Sequence, residues 1–181
     1  KLTEYDSPRT GGLIAVNLRE GDELVGAGLA SSVDDLILVS RKGQSVRFHA
    51  TDDALRPMGR ATSGVVGMKF RNGDELLSIS VVEHGEDPDV FVVFENGLAK
   101  RSPASDYPVK GRATLGVRVA QVSERGGDLV GALTVGEDDE VEHRQASAEQ
   151  LCAGEAVALV RLAMDRRDDQ AVARELPLRL Q

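Results

Sequence analysis

With 181 residues, 41% hydrophobic, 3% aromatic and no Trp, the chain has apolar material for one domain or about three units of a repeat, its core built from Val, Leu, Ile and Ala. Nineteen glycines favour turn-rich β structure over a helical bundle, and the single Cys152 excludes an internal disulfide framework and fits a reducing, cytoplasmic compartment. No stretch has the apolar purity of a membrane span or a signal peptide, and a net charge of −8 counts, taken alone, against a polyanion partner.

Residues 1–10 read as the exit from a preceding hairpin. Leu13–Leu18 is a short β run, Gly21-Asp22 a turn, and Leu24–Leu29 the next strand. Leu36–Ser40 is a continuous apolar run, as expected of a strand buried on both faces. Arg41-Lys42-Gly43-Gln44 then reverses the chain into Ser45–Phe48, where alternation sets Val46 and Phe48 on one face and Ser45 and Arg47 on the other. The plan repeats. Val65–Phe70 reads as a strand, Asn72-Gly73 as a tight turn, Leu76–Val82 as a strand, and Glu83–Pro88 as a polar loop. Val90–Phe94 follows, and Asn96-Gly97 closes a second hairpin. A third unit opens with Gly116–Val119 and Leu129–Val135. From Ser147 to Gln181 the composition turns to Ala, Glu, Leu, Arg and Gln, which reads as a helical or poorly ordered tail with Leu151, Cys152, Leu159, Val160, Leu162 and Ala163 as its apolar stripe.

The repetition is one of residues as well as of elements. Gly59-Arg60-Ala61-Thr62-Ser63-Gly64-Val65 returns 52 positions later as Gly111-Arg112-Ala113-Thr114-Leu115-Gly116-Val117. Gly21-Asp22-Glu23-Leu24 returns at the same shift as Gly73-Asp74-Glu75-Leu76. The hairpin from Asp35 to Arg47 lines up with Asp89 to Arg101 at a shift of 54. A period near fifty with four short strands per unit is the pattern of a propeller-like blade. Charge follows the period. Basic residues gather between Arg41 and Arg71 and again between Lys100 and Arg118, whereas Glu20–Asp35 and Asp74–Asp89 are acidic. Equivalent positions of a repeat lie on equivalent faces, so this pattern implies one basic rim and one acidic rim.

The repeated Gly-Asp-Glu-Leu turn, the hairpin Leu36–Phe48 and the segment Arg56–Val65 together resemble the C-terminal domain of the bacterial DNA gyrase A subunit, and more loosely that of topoisomerase IV. The resemblance covers residues 1–141. It implies an all-β fold, a propeller-like β-pinwheel in which blades exchange a strand with a neighbour, here a partial array of about three blades. The units are about 1–58, 59–110 and 111–141, with 142–181 as the divergent tail. It also implies a non-catalytic DNA-binding, DNA-wrapping region of a type IIA topoisomerase. The implied partners are double-stranded DNA, the gyrase B subunit, and the rest of the gyrase A subunit, in the cytoplasm at the nucleoid. The family carries a Gln-x-Arg-Gly-Gly-Lys-Gly box that governs the hand of wrapping. Lys110–Gly116 is the best-placed counterpart, and it keeps Arg112 and the flanking glycines but lacks the Gln, the inner Gly pair and the Lys.

Under that resemblance Arg41, Lys42, Arg47, Arg60, Lys69, Lys100, Arg101, Lys110 and Arg112 are expected to contact phosphates, which needs positive charge along a curved track and no base readout. The competing reading of any one of them is a solvated edge residue, and of the whole chain a blade-repeat scaffold for protein partners that has lost chiral wrapping. No enzyme, cofactor or metal is expected. Asp22, Glu23, Asp74 and Glu75 suit turns that cap backbone amides better than a cation site, which needs oxygens converging from several positions. His49, His84 and His143 lack ligand spacing, and Gly11-Gly12 and Gly126-Gly127 lack the Lys-Ser/Thr of a phosphate loop. Tyr107, ahead of Pro108, reads as a packing residue.

Overall fold

The structure, a computed structural model, describes residues 5, 11–59, 62–71, 73–124 and 126–136. The expected tail, His143, Cys152 and the end of the third unit lie outside them, as does Arg60. Two antiparallel sheets make up the fold. β1 (Asp35–Ser40) and β2 (Gln44–His49) form a hairpin, with β3 (Leu76–Val82) beside β1. β4 (Asp89–Phe94) and β5 (Ala99–Pro103) form a second hairpin. A 3-10 turn at Ala104–Asp106 follows, then β6 (Val117–Arg118) and β7 (Leu129–Val135). The first sheet runs β3-β1-β2-β6 and the second β5-β4-β7.

The order of the strands shows the exchange. β1 and β2 fall in the first of the units expected from the sequence, β3 in the second and β6 in the third, so one sheet draws on three separate stretches of sequence. The second sheet copies the first in detail. The ladder between β1 and β3 slips at Val39/Ser40, and that between β4 and β7 slips at Val93/Phe94, the same place 54 residues on. Each hairpin turns through a glycine with left-handed backbone, Gly43 at φ 76° and Gly97 at φ 82°, a conformation that costs other residues about 1 kcal/mol or more.

Burial follows the two-residue period. On β1 all six residues are buried. Leu36 and Leu38 join Val46, Phe48, Ala50 and Met68 on one face. Ile37 and Val39 face the second sheet with Leu77, Val90, Val92, Leu129, Tyr107 and Val119. Each such side chain taken fully from water contributes about 1.5–3 kcal/mol, and these two faces are the core.

Three expected strands are absent. Leu13–Leu18 and Leu24–Leu29 make no ladder, and Val65–Phe70 makes only a parallel bridge from Met68 to Thr114. A strand is completed by its neighbour's backbone, not by its own β propensity. At the repeat shift, 24–29 is the counterpart of β3 and 65–66 that of β6.

Candidate nucleic-acid interface

The register separates charge along the strands. The exposed carboxylates Asp52, Asp53, Glu83, Glu86 and Asp87 lie at the end of the first sheet where β1 begins, because Asp35 pairs with both Val82 and His49. Arg41 and Lys42 lie at the other end, in the β1–β2 turn. Beside this turn, Asp74 accepts hydrogen bonds at Oδ1 from the Lys42 and Glu75 amides (2.9 Å each) and at Oδ2 from the Ser40 hydroxyl (2.7 Å). The turn carboxylate of the second unit thus caps the hairpin of the first.

Several of the expected phosphate contacts are engaged within the fold. Arg47 donates from Nε to Asp35 (2.7 Å) and from Nη1 to the Ala104 carbonyl (2.8 Å). Its side chain is 14% exposed and that of Asp35 10%, so Arg47 is a staple from the first hairpin to the turn after the second. The 2.5 Å contact from His49 Nδ1 occupies the other Asp35 oxygen. Arg112 donates to the carbonyls of Ala54 (2.7 Å) and Val66 (3.1 Å), pinning the crossing segment 109–116 to the loops that follow β2. Lys100 Nζ donates to the Val119 carbonyl (2.8 Å), and Arg101 pairs with Asp89. Arg41 pairs with Glu75 at 2.7 Å. Lys42 Nζ meets both oxygens of Asp128 at 2.9 and 2.7 Å, and that hydrogen bond holds its pKa above the ordinary lysine value despite some desolvation.

Lys69 and Lys110 are different. Both are exposed, and among the described residues their side chains make no hydrogen bond or ion pair. Their backbones are fixed by the exchange: Lys69 N–H donates to the Thr114 carbonyl and Lys110 N–H to the Arg47 carbonyl, each at 2.8 Å. Two cations missing from the expected set share their situation. Arg118 on β6, opposite Gln44, and Arg71 are both exposed, and with Lys42, Gln44, Asp74 and Gln121 they line an open groove of about 240 Å³. Their signal in the sequence was present. Arg71 and Arg118 fall within the two basic stretches, but only the exchanged pairing of β6 with β2 brings them to one groove. Arg60 is outside the described residues.

The expected packing role of Tyr107 is realised: it is buried, with its hydroxyl at 2.5 Å from that of Ser102, and burial pushes its pKa up against the lowering effect of that hydrogen bond. Among the described residues no group of His, Cys, Asp or Glu is arranged to hold a metal ion.

The chain resembles known proteins along most of the described length. A family model for the DNA gyrase C-terminal domain, beta-propeller, matches residues 1–31, 34–83 and 89–136. The DNA gyrase A subunit of Streptomyces coelicolor is 57% identical over 145 residues, covering 77% of this chain and 17% of that protein. The DNA gyrase A subunit of Mycobacterium tuberculosis H37Rv is 56% identical over 141 residues, covering 78% and 17%. Its counterpart in a Nocardioides species is 44% identical over 171 residues, covering 78% and 18%. The chain therefore spans under a fifth of the length of these relatives. In fold, it matches the crystal structure of the C-terminal domain of DNA topoisomerase IV with a TM-score of 0.67 at 23% identity, covering 74% of this chain and 41% of that one. The shared family model, the identity to gyrase A subunits and the exchanged β sheets agree: this chain belongs to the DNA gyrase C-terminal domain family, with the β-propeller-like architecture of that family.

Proposed function

We propose that this chain is a DNA-binding, non-catalytic region of a gyrase A subunit that bends duplex DNA along the exchanged edge of its first sheet. The observation that carries this reading is four exposed cations, Lys69, Arg71, Lys110 and Arg118, on segments that the β6 exchange brings against the first sheet. Arg41, Lys42, Lys100, Arg101 and Arg112, each engaged within the fold, add to the positive charge available to DNA, and Arg60 belongs with them by its place in the repeat. Arg47, bound to Asp35 and Ala104, holds the track rather than touching DNA. Backbone contact of this kind needs no base recognition, and bending is offset by the longer path of contact. The repeat units 1–58, 59–110 and 111–141 serve as successive stations of that path. The bent segment is presented to the gyrase B subunit, and to the rest of the gyrase A subunit, in the cytoplasm at the nucleoid.

The test is a fluorescence-anisotropy titration of the 181-residue chain against random-sequence duplex at several salt concentrations. Binding should weaken steeply with salt. Replacing Lys69, Arg71, Lys110 and Arg118 singly by Ala should weaken it and lower the slope of log K against log salt by about one unit each, with the melting temperature kept. No binding at any salt, or a slope indifferent to all four, overturns the proposal.

A further inference from the structure

The turn aspartates of the two sheets are equivalent in sequence and used differently. Asp74 and Asp128 stand 54 residues apart, each after a glycine with left-handed backbone, Gly73 at φ 73° and Gly127 at φ 71°. Asp74 closes the hairpin beside it: one oxygen accepts from the Ser40 hydroxyl and the other from the Lys42 and Glu75 amides. At the same shift Ser40 becomes Phe94, which has no hydroxyl to offer, and Lys42 becomes Asn96. The second hairpin turn holds Asp128 by its backbone instead. The Asp128 N–H donates to Glu95 Oε2 at 3.1 Å, and its carbonyl accepts from the Glu95 N–H at 3.0 Å. The carboxylate is left to reach across to the first sheet, where its two oxygens meet Lys42 Nζ at 2.9 and 2.7 Å.

That pair bears on the groove described above. Lys42, Arg71 and Arg118 give the groove three cations, with the amides of Gln44 and Gln121 beside them. Its carboxylate, Asp74, already accepts three hydrogen bonds, so the groove favours an anion. Lys42 is the cation of the three that is paired with a carboxylate among the described residues. The Lys42 and Asp128 side chains are 44% and 26% exposed, and a pair that water reaches is held weakly against a competing anion. A phosphodiester carries the same single charge and pair of free oxygens as a carboxylate. Seated in the groove it meets Lys42 together with Arg71 and Arg118, whereas the Asp128 carboxylate, among the described residues, meets Lys42 alone.

We infer that a backbone phosphate of bound duplex enters this groove and takes Lys42 from Asp128, so that Asp128 is a built-in competitor that limits how tightly the chain holds DNA. The inference rests on the reading of the chain as a DNA-binding region. In the free chain the carboxylate neutralises Lys42 and ties the two sheets together. In the bound chain the ammonium turns into the groove and Asp128 is returned to water.

Binding of random-sequence duplex by the 181-residue chain is measured at one moderate salt concentration for the wild type, Asp128→Asn, Lys42→Ala and the double variant. Asp128→Asn should bind up to about fivefold more tightly, the gain expected when an exposed pair no longer opposes binding. That gain should vanish when residue 42 is Ala, which separates the release of Lys42 from the loss of a negative charge. Asp53→Asn removes an exposed charge at the opposite end of the first sheet and should give no comparable gain. In the wild type, acylation of the Lys42 amine, followed by mass spectrometry, should be suppressed by saturating duplex, and this readout decides the matter if Asp128→Asn does not fold. A wild type that binds no duplex overturns the DNA-binding reading and this inference with it. Three results overturn the inference alone: a folded Asp128→Asn that binds no more tightly than the wild type, a gain that survives Lys42→Ala, or a Lys42 amine equally reactive with and without duplex.

Discussion

Arg47 and Arg101 occupy the same place in the repeat and do different physical work. Each lies on the second strand of a hairpin and pairs with the Asp that opens the first strand. Around Arg47 the next blade closes in, and the Ala104 carbonyl takes the second donor. Around Arg101 the side chain is 56% exposed. Removing one partner of a buried pair strands the other charge, so Arg47→Ala should cost about 3 kcal/mol or more, whereas Arg101→Ala should cost under about 1 kcal/mol. Urea denaturation of the two variants measures the difference, and equal midpoints would remove the staple from the account. The sequence made the pairing face of Arg47 legible, because alternation set it opposite Val46 and Phe48. It did not show what covers that face. The covering residue is 57 positions away, and a single chain reading carries no distance between strands of different blades. For the same reason Lys69 and Lys110 were singled out among the basic stretches while Arg71 and Arg118, equally exposed, were not.

At the scale of elements, the hairpins were readable because their signals are local: apolar runs of five or six residues, and glycine turns at Gly43 and Gly97. Strands 13–18, 24–29 and 65–70 carried the same composition and failed, since their ladders depend on backbone the local pattern does not specify. β6 is the opposite case. Its two residues, inside the run that opens the third unit, are enough to complete a four-stranded sheet. The determinant is Gly116, pressed on the Ser45 carbonyl. Gly116→Val should therefore unseat β6 while leaving both hairpins formed. The amide of Val119, bonded to Gly43, should then exchange at least tenfold faster, as expected for about 1.4 kcal/mol of lost local stability or more, whereas the amides between β1 and β3 should change little. Unchanged exchange at Val119 would show that the strand stays seated without its glycine.

For the molecule as a whole, the two sheets are not separate bodies. Ile37 and Val39 share a core with Val90, Val92 and Leu129, and the Leu129 N–H donates to the Arg41 carbonyl at 2.9 Å. Lys42 and Asp128 join the same two sheets at their hairpin ends. Unfolding in urea should thus be a single transition, with far-ultraviolet circular dichroism and the fluorescence of buried Tyr107 giving one midpoint. Two separated midpoints would mean that the second sheet melts alone. The net charge of −8 says little at this scale, because a sum over the chain discards placement. The carboxylates at the opening end of β1 and the cations of the exchanged edge enter one total although they lie on different segments of the fold.

The crossing of 109–118 to the first sheet has a consequence for the integrity of the polypeptide. The Arg47–Lys110, Gly67–Ala113 and Lys69–Thr114 backbone bonds, with the β6 ladder beyond them, clasp this stretch at several points. Covalent continuity there is largely redundant. A peptide bond cut at exposed Gly111 would leave the parts upstream and downstream of the cut interleaved: β6 would remain on β2 and β7 on β4, each strand held by a sheet whose other members lie on the far side of the break. The blades are parted in sequence where they are woven together in space, so no scission at a unit boundary releases a whole one.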